Sequence, residues 1–106
     1  MSLAEALLLL QRADRAIYSG EPAWAISLLD ELDARAARSL LREERVATRV
    51  LALCRDGQVD AAERLANAAR NETPGSIYGA LLERACSPPQ GSASSVAGAA
   101  QKSKTP

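Results

Sequence analysis

An all-α fold built from helical hairpins is what this chain predicts, and three observations carry it. Apolar residues recur at helical spacing in successive stretches of ten to twenty residues. Glycine or proline punctuates each stretch, at Gly20-Glu21-Pro22, Asp56-Gly57 and Thr73-Pro74. The third observation is an internal echo. Around Gly20 the chain reads Y-S-G-E-P-A-W-A-I-S-L-L, and around Gly57 it reads R-D-G-Q-V-D-A-A-E-R-L-A. Gly20 and Gly57, Ala25 and Ala62, and Leu28 and Leu65 are each 37 residues apart. The expectation is about five helices in antiparallel hairpins over residues 1–87, followed by a disordered tail over 88–106.

Ser2-Leu3-Ala4-Glu5 fits a capping box that opens a first helix running to about Ser19. Leu3, Leu7, Leu10, Ala13 and Ile17 lie along one side, and Leu8 and Leu9 widen it. This reads as a broad core face, with an exposed strip for a partner as the alternative. Pro22 suits the first position of a second helix, which continues through Ala25, Leu28, Leu29 and Leu32 to about Ala37. Trp24, beside that stripe, is expected to cover one end of the stack, or else to stack on a ligand. Asp30, Glu31 and Asp33 point in different directions around a helix, so they read as a solvated face and not as a metal site.

A third helix is expected after Ser39 as its cap, with Val46, Val50, Leu53 and Cys54 along its apolar side. Its Arg42, Arg45 and Arg49 could grip phosphate or an acidic peptide. With Glu43 and Glu44 among them, they read equally as a solvated Arg–Glu face. The fourth helix carries Ala62, Leu65, Ala66 and Ala69 up to Thr73-Pro74. A fifth, from Ile77 to about Cys86, is expected to cap the stack.

A helix–glycine–helix unit with alanine five residues after the glycine resembles the tetratricopeptide repeat, whose period is about 34 residues. The resemblance spans residues 6 to about 86, as two degenerate repeats and the first helix of a third. Pro74 stands where that pattern places its closing proline. Ala16 and Leu53 replace the usual aromatic near the end of each first helix, and Ala37 replaces the first repeat's proline. The resemblance implies a short right-handed superhelix and a non-enzymatic interaction module. Its groove, lined by the first helix of each repeat, would hold a peptide or helix. Carried onto this chain, the lining comprises Leu10, Asp14, Ile17 and Tyr18, then Leu51, Cys54 and Arg55, then Tyr78 and Leu81. The carboxylate-clamp branch of the family needs lysine and asparagine where Leu10 and Asp14 stand, so a chaperone-tail binder is not implied. Tyr18, Arg55 and Tyr78 are the expected specific contacts, since tyrosine and arginine concentrate binding energy.

Composition narrows the function classes. Thirteen basic and thirteen acidic residues cancel, and with both lysines in the tail residues 1–87 carry a net charge of −2. Bulk charge therefore does not point to nucleic acid. Without histidine, imidazole catalysis and imidazole metal ligation are excluded. Phosphate loops, serine nucleophile elbows and zinc-spaced cysteine pairs are missing, so neither an enzyme nor a cofactor is expected. No membrane span or signal peptide is read, because Leu7–Leu10 is too short and no basic residue precedes it. The default location is then cytoplasmic, or periplasmic if the chain is cut from a longer one. Cys54 and Cys86 lie on first-type helices, so they could meet as a disulfide, remain reduced in the core, or leave Cys54 free to react. Two further readings stay open. The hairpins could self-associate as a homodimer, or form the soluble end of a larger bacterial envelope or regulatory protein.

Overall fold

The computed structural model describes residues 1–87, and the expected tail over 88–106 lies outside the described residues. Five helices follow one another: α1 (Leu3–Tyr18), α2 (Pro22–Arg35), α3 (Arg42–Arg55), α4 (Val59–Glu72) and α5 (Gly79–Glu83). There is no strand among the described residues. Helix α1 packs on α2 and α3 on α4; α3 also packs on α1, α2 and α5. Among the described residues no helix is long and apolar enough to cross a membrane.

The 37-residue echo is reproduced bond for bond. Gly20 and Gly57 have φ of 84° and 85°, the left-handed conformation that glycine adopts without steric cost. At the first turn the Gly20 amide donates to Ile17 and the Glu21 amide to Ala16, at 3.2 and 2.8 Å. At the second, the Gly57 amide donates to Cys54 and the Gln58 amide to Leu53, at 3.1 and 2.9 Å. Ala25 and Ala62, five residues after each glycine, are fully buried. A larger side chain there would hold the paired helices apart.

Two apolar clusters form the core. One joins α1 and α2 through Ala6, Leu9, Ala13, Leu28, Leu29 and Leu32, among others. The other joins α3, α4 and α5 through Val50, Leu53, Ala62, Ala66 and Leu82. Ile26 packs against both clusters. Each fully buried leucine, such as Leu29 or Leu32, contributes roughly 1.5–3 kcal/mol by leaving water.

Several elements depart from expectation. The buried side of α1 is Ala6, Leu9, Ala13, Ala16 and Ile17, and Leu3, Leu7 and Leu8 are exposed. The broad core face is therefore narrower than the leucines suggest. Ala6 and Ala13 are fully buried and join Leu9 in the first core, and small residues let packed helices approach closely. The capping box of Ser2 and Glu5 is formed as read, through reciprocal bonds of 3.1 and 2.8 Å.

Ser39 does not cap α3. The helix starts after Leu41, which has a left-handed φ of 52° and makes no side-chain cap bond. The connection is organised instead by Arg45, a buried side chain. Its Nε donates to the Leu40 carbonyl at 2.9 Å, and its Nη2 donates to Ala37 and Arg38 at 3.1 and 2.8 Å. Its Nη1 reaches Asp33 of α2 at 2.7 Å. Arg49 bridges Asp30 and Asp33 at 2.9 Å each, while Arg42 pairs with Glu72. Arg45 and Arg49 thus join α3 to Asp30 and Asp33 of α2, and Arg42 joins it to α4, while Asp30, Glu31 and Asp33 remain on an exposed face of α2 as read. Helix α5 is also shorter than expected, and Ile77 stands outside it, exposed.

Candidate partner-binding face

Helices α1, α3 and α5 form a row, since α3 touches both of the others. Along α1, Leu3, Leu7, Leu10, Asp14 and Tyr18 follow at steps of three and four and so share one side. Leu3 is 53% exposed, Leu7 38% and Tyr18 72%, while Leu10 is half-buried against the first core. Asp14 is exposed, and Ile17 is buried in the core and unavailable to a ligand.

Tyr18 and Arg55 meet. The Arg55 guanidinium lies over the Tyr18 ring, 5.9 Å from its centroid. Each residue precedes its turn glycine by two positions, and equivalent turns on adjoining helices bring equivalent positions together. The stacking itself is worth about 0.5–1 kcal/mol at an exposed site. Arg55 makes no ion pair with Asp56, whose carboxylate accepts from Gln58 at 2.7 Å.

Beyond Arg55 the row continues into an open depression of about 430 Å³ between α3 and the end of α5. Leu51 and Leu81 line it together with Arg55 and Arg84. Its wall includes the Cys54–Cys86 disulfide, with 5.1 Å between the α carbons. Of the three states open to the cysteines from sequence, the bonded one is observed. The bond fastens the segment after a five-residue helix to α3.

Tyr78 occupies the other end of α3. It is half-buried, and its hydroxyl donates to Glu44 at 3.5 Å. Burial, then the Glu44 carboxylate, push this phenol above its ordinary pKa. Glu44 precedes Arg55 by eleven residues, about 16 Å along the helix axis. The face therefore joins Tyr18 to Arg55 directly and places Tyr78 a helix length away.

Arg84 escaped sequence reasoning, and Trp24 departs from its expected place at a stack end. Arg84 was available as a position three residues after Leu81, but its place beside Arg55 depends on how α5 docks. Trp24 is 51% exposed and lines a second open depression, about 590 Å³, with Arg12, Arg15 and Tyr18. Covering a stack end requires a packed ring, and this one faces solvent. Among the described residues no cluster of histidine, cysteine or carboxylate side chains could hold a metal ion. Comparison with known proteins returns no match: no family model fits the chain, and no curated protein or solved structure resembles it closely enough to count as a relative.

Proposed function

We propose that the face shared by α1, α3 and α5 binds a protein segment, a peptide or a helix, and that the domain is a non-enzymatic interaction module. The observation that carries this is the unpacked side of α1. Leu3 and Leu7 stay in water on the side of α1 that reaches the Tyr18–Arg55 contact about 16 Å beyond Leu7 along the helix, although the same helix buries Ala6, Ala13 and Ala16. Large apolar side chains aligned on one helix face and ending at a tyrosine and an arginine make a favourable docking strip. The tetratricopeptide-like reading is supported by the repeated turn geometry and the two buried alanines, and it assigns the same face. A disulfide on that face favours an oxidising compartment.

The test is site-specific photocrosslinking in the source cell. A photoreactive residue at Leu7 should yield a discrete protein adduct, and one at Arg64, an exposed α4 position, should not. Adducts from Arg64 alone would move the binding surface off this face.

Self-association is the second reading, favoured by the exposure of Leu8 as well as Leu3 and Leu7. Covering these leucines with a second copy would bury the N-terminal half of α1. Light scattering decides it: a monomeric mass across the accessible concentration range excludes the homodimer.

A further inference from the structure

We infer that the segment accepted by this face is acidic, carrying carboxylates next to apolar side chains; the inference rests on the peptide-binding reading and names its ligand class. The argument starts from how the chain treats its arginines. Arg35, Arg38, Arg42, Arg45 and Arg49 each have a carboxylate within ion-pair distance. Arg55 and Arg84 have none among the described residues, and neither do Arg12, Arg15, Arg64 and Arg70.

Four of these six flank Tyr18, while Arg64 and Arg70 lie on α4. Arg55 and Arg84 line the α3–α5 depression, whose other walls are Leu51, Leu81 and the disulfide, with no carboxylate in its lining. Arg12 and Arg15 line the depression that Trp24 and Tyr18 share, where Glu21 is the single acid. Two cations that share a depression without a carboxylate in its lining favour an anion there. The Arg55 guanidinium over Tyr18 makes no ion pair among the described residues, so its N–H groups remain available to a carboxylate. The leucines beside them suit an apolar side chain of the same segment.

Nucleic acid offers anions too, but residues 1–87 carry a net charge of −2 and the depression lined by Arg55 and Arg84 has no aromatic side chain in its lining. A peptide carboxylate fits these observations better than a phosphate chain does.

The experiment is an amide-resolved NMR titration of the oxidised protein with three probes: a short peptide alternating leucine and glutamate, its leucine–glutamine counterpart, and an oligothymidylate. The glutamate peptide should shift the amides of Leu51, Arg55, Leu81 and Arg84, and should bind about tenfold more tightly than the glutamine peptide, the size of one charge-assisted hydrogen bond. Arg84→Ala and Arg55→Ala should each remove most of that preference, and added salt should weaken it. Both side chains are exposed, and a thermal melt of each variant verifies folding. Equal binding of the two peptides at these amides overturns the acidic ligand and leaves the peptide-binding face standing. Peptide-induced shifts confined to other surfaces, or no shifts with either peptide, overturn both. Tighter binding of the oligothymidylate than of the glutamate peptide overturns the ligand class in favour of nucleic acid.

Discussion

Asp33 of α2 accepts a 2.7 Å bond from Arg45 of α3, and the same guanidinium holds three carbonyls of the connection between the two hairpins. One buried side chain thus sets how the first hairpin meets the second. Removing it would leave three carbonyls of the connection without this donor, while Asp33, partly exposed, keeps Arg49; losing hydrogen bonds from a charged group costs about 1.5–3 kcal/mol. Arg45→Ala should lower the urea-unfolding free energy by an amount in that range. Arg45→Lys should recover only part of it, because an ammonium cannot reproduce the fork of donors. A loss below about 1 kcal/mol for Arg45→Ala, the level of an exposed pair, would remove this linkage.

The Cys54–Cys86 disulfide closes a loop across 32 positions of sequence. In the chain-entropy account such a closure stabilises by about 3–4 kcal/mol. Helix α5 has five residues, too few to persist without tertiary support. Reduction by dithiothreitol should therefore lower stability by a comparable amount, and the amides of residues 79–86 should lose exchange protection before those of α1. Uniform loss of protection would mean that the bond does not act on α5 selectively.

The turn alanines make a matched pair of sites. Ala25→Leu and Ala62→Leu should each cost about 1–3 kcal/mol by overpacking the hairpin seam, since both positions are fully buried. Unchanged melting of either variant would contradict the equivalence of the two hairpins.

Acid should act on the exposed Arg42–Glu72 pair. The bond donated by Arg42, then its charge, hold the Glu72 carboxyl below the usual carboxylate range. Its contribution is present above the unfolded value of about 4.3 and is lost as pH falls through the lower folded value. Melting temperature should thus fall on acidification below about pH 5, and Glu72→Gln should flatten that part of the profile. A steeper profile in Glu72→Gln would reverse the sign.

Helix existence and turn position were legible because apolar spacing and glycine punctuation are local signals. The Gly20 and Gly57 turns and the buried alanines follow directly from them. What the sequence concealed depends on tertiary docking. The leucines of α1 outnumber its alanines, yet the alanines occupy the core because close approach of α2 selects small side chains. Arg45 looked like one member of a surface stripe, and only the path of the 36–41 connection makes it buried. At the candidate face, Tyr18 and Arg55 were found by their matched repeat positions. Tyr78 lies far from them, against Glu44 and the start of α3, since the residues before α5 meet the opposite end of that helix.

The most direct test of the proposed binding face is the dissociation constant of the crosslinked partner, once isolated, for four proteins: the parent, Tyr18→Ala, Arg55→Ala and Arg64→Ala. Tyr18 and Arg55 form the exposed stack at the centre of the row, whereas Arg64 belongs to α4. Tyr18→Ala and Arg55→Ala should each weaken binding about tenfold or more, as truncation of a binding hot spot does, with Arg64→Ala unchanged. Equal affinity across all four would contradict the account and place the binding surface elsewhere.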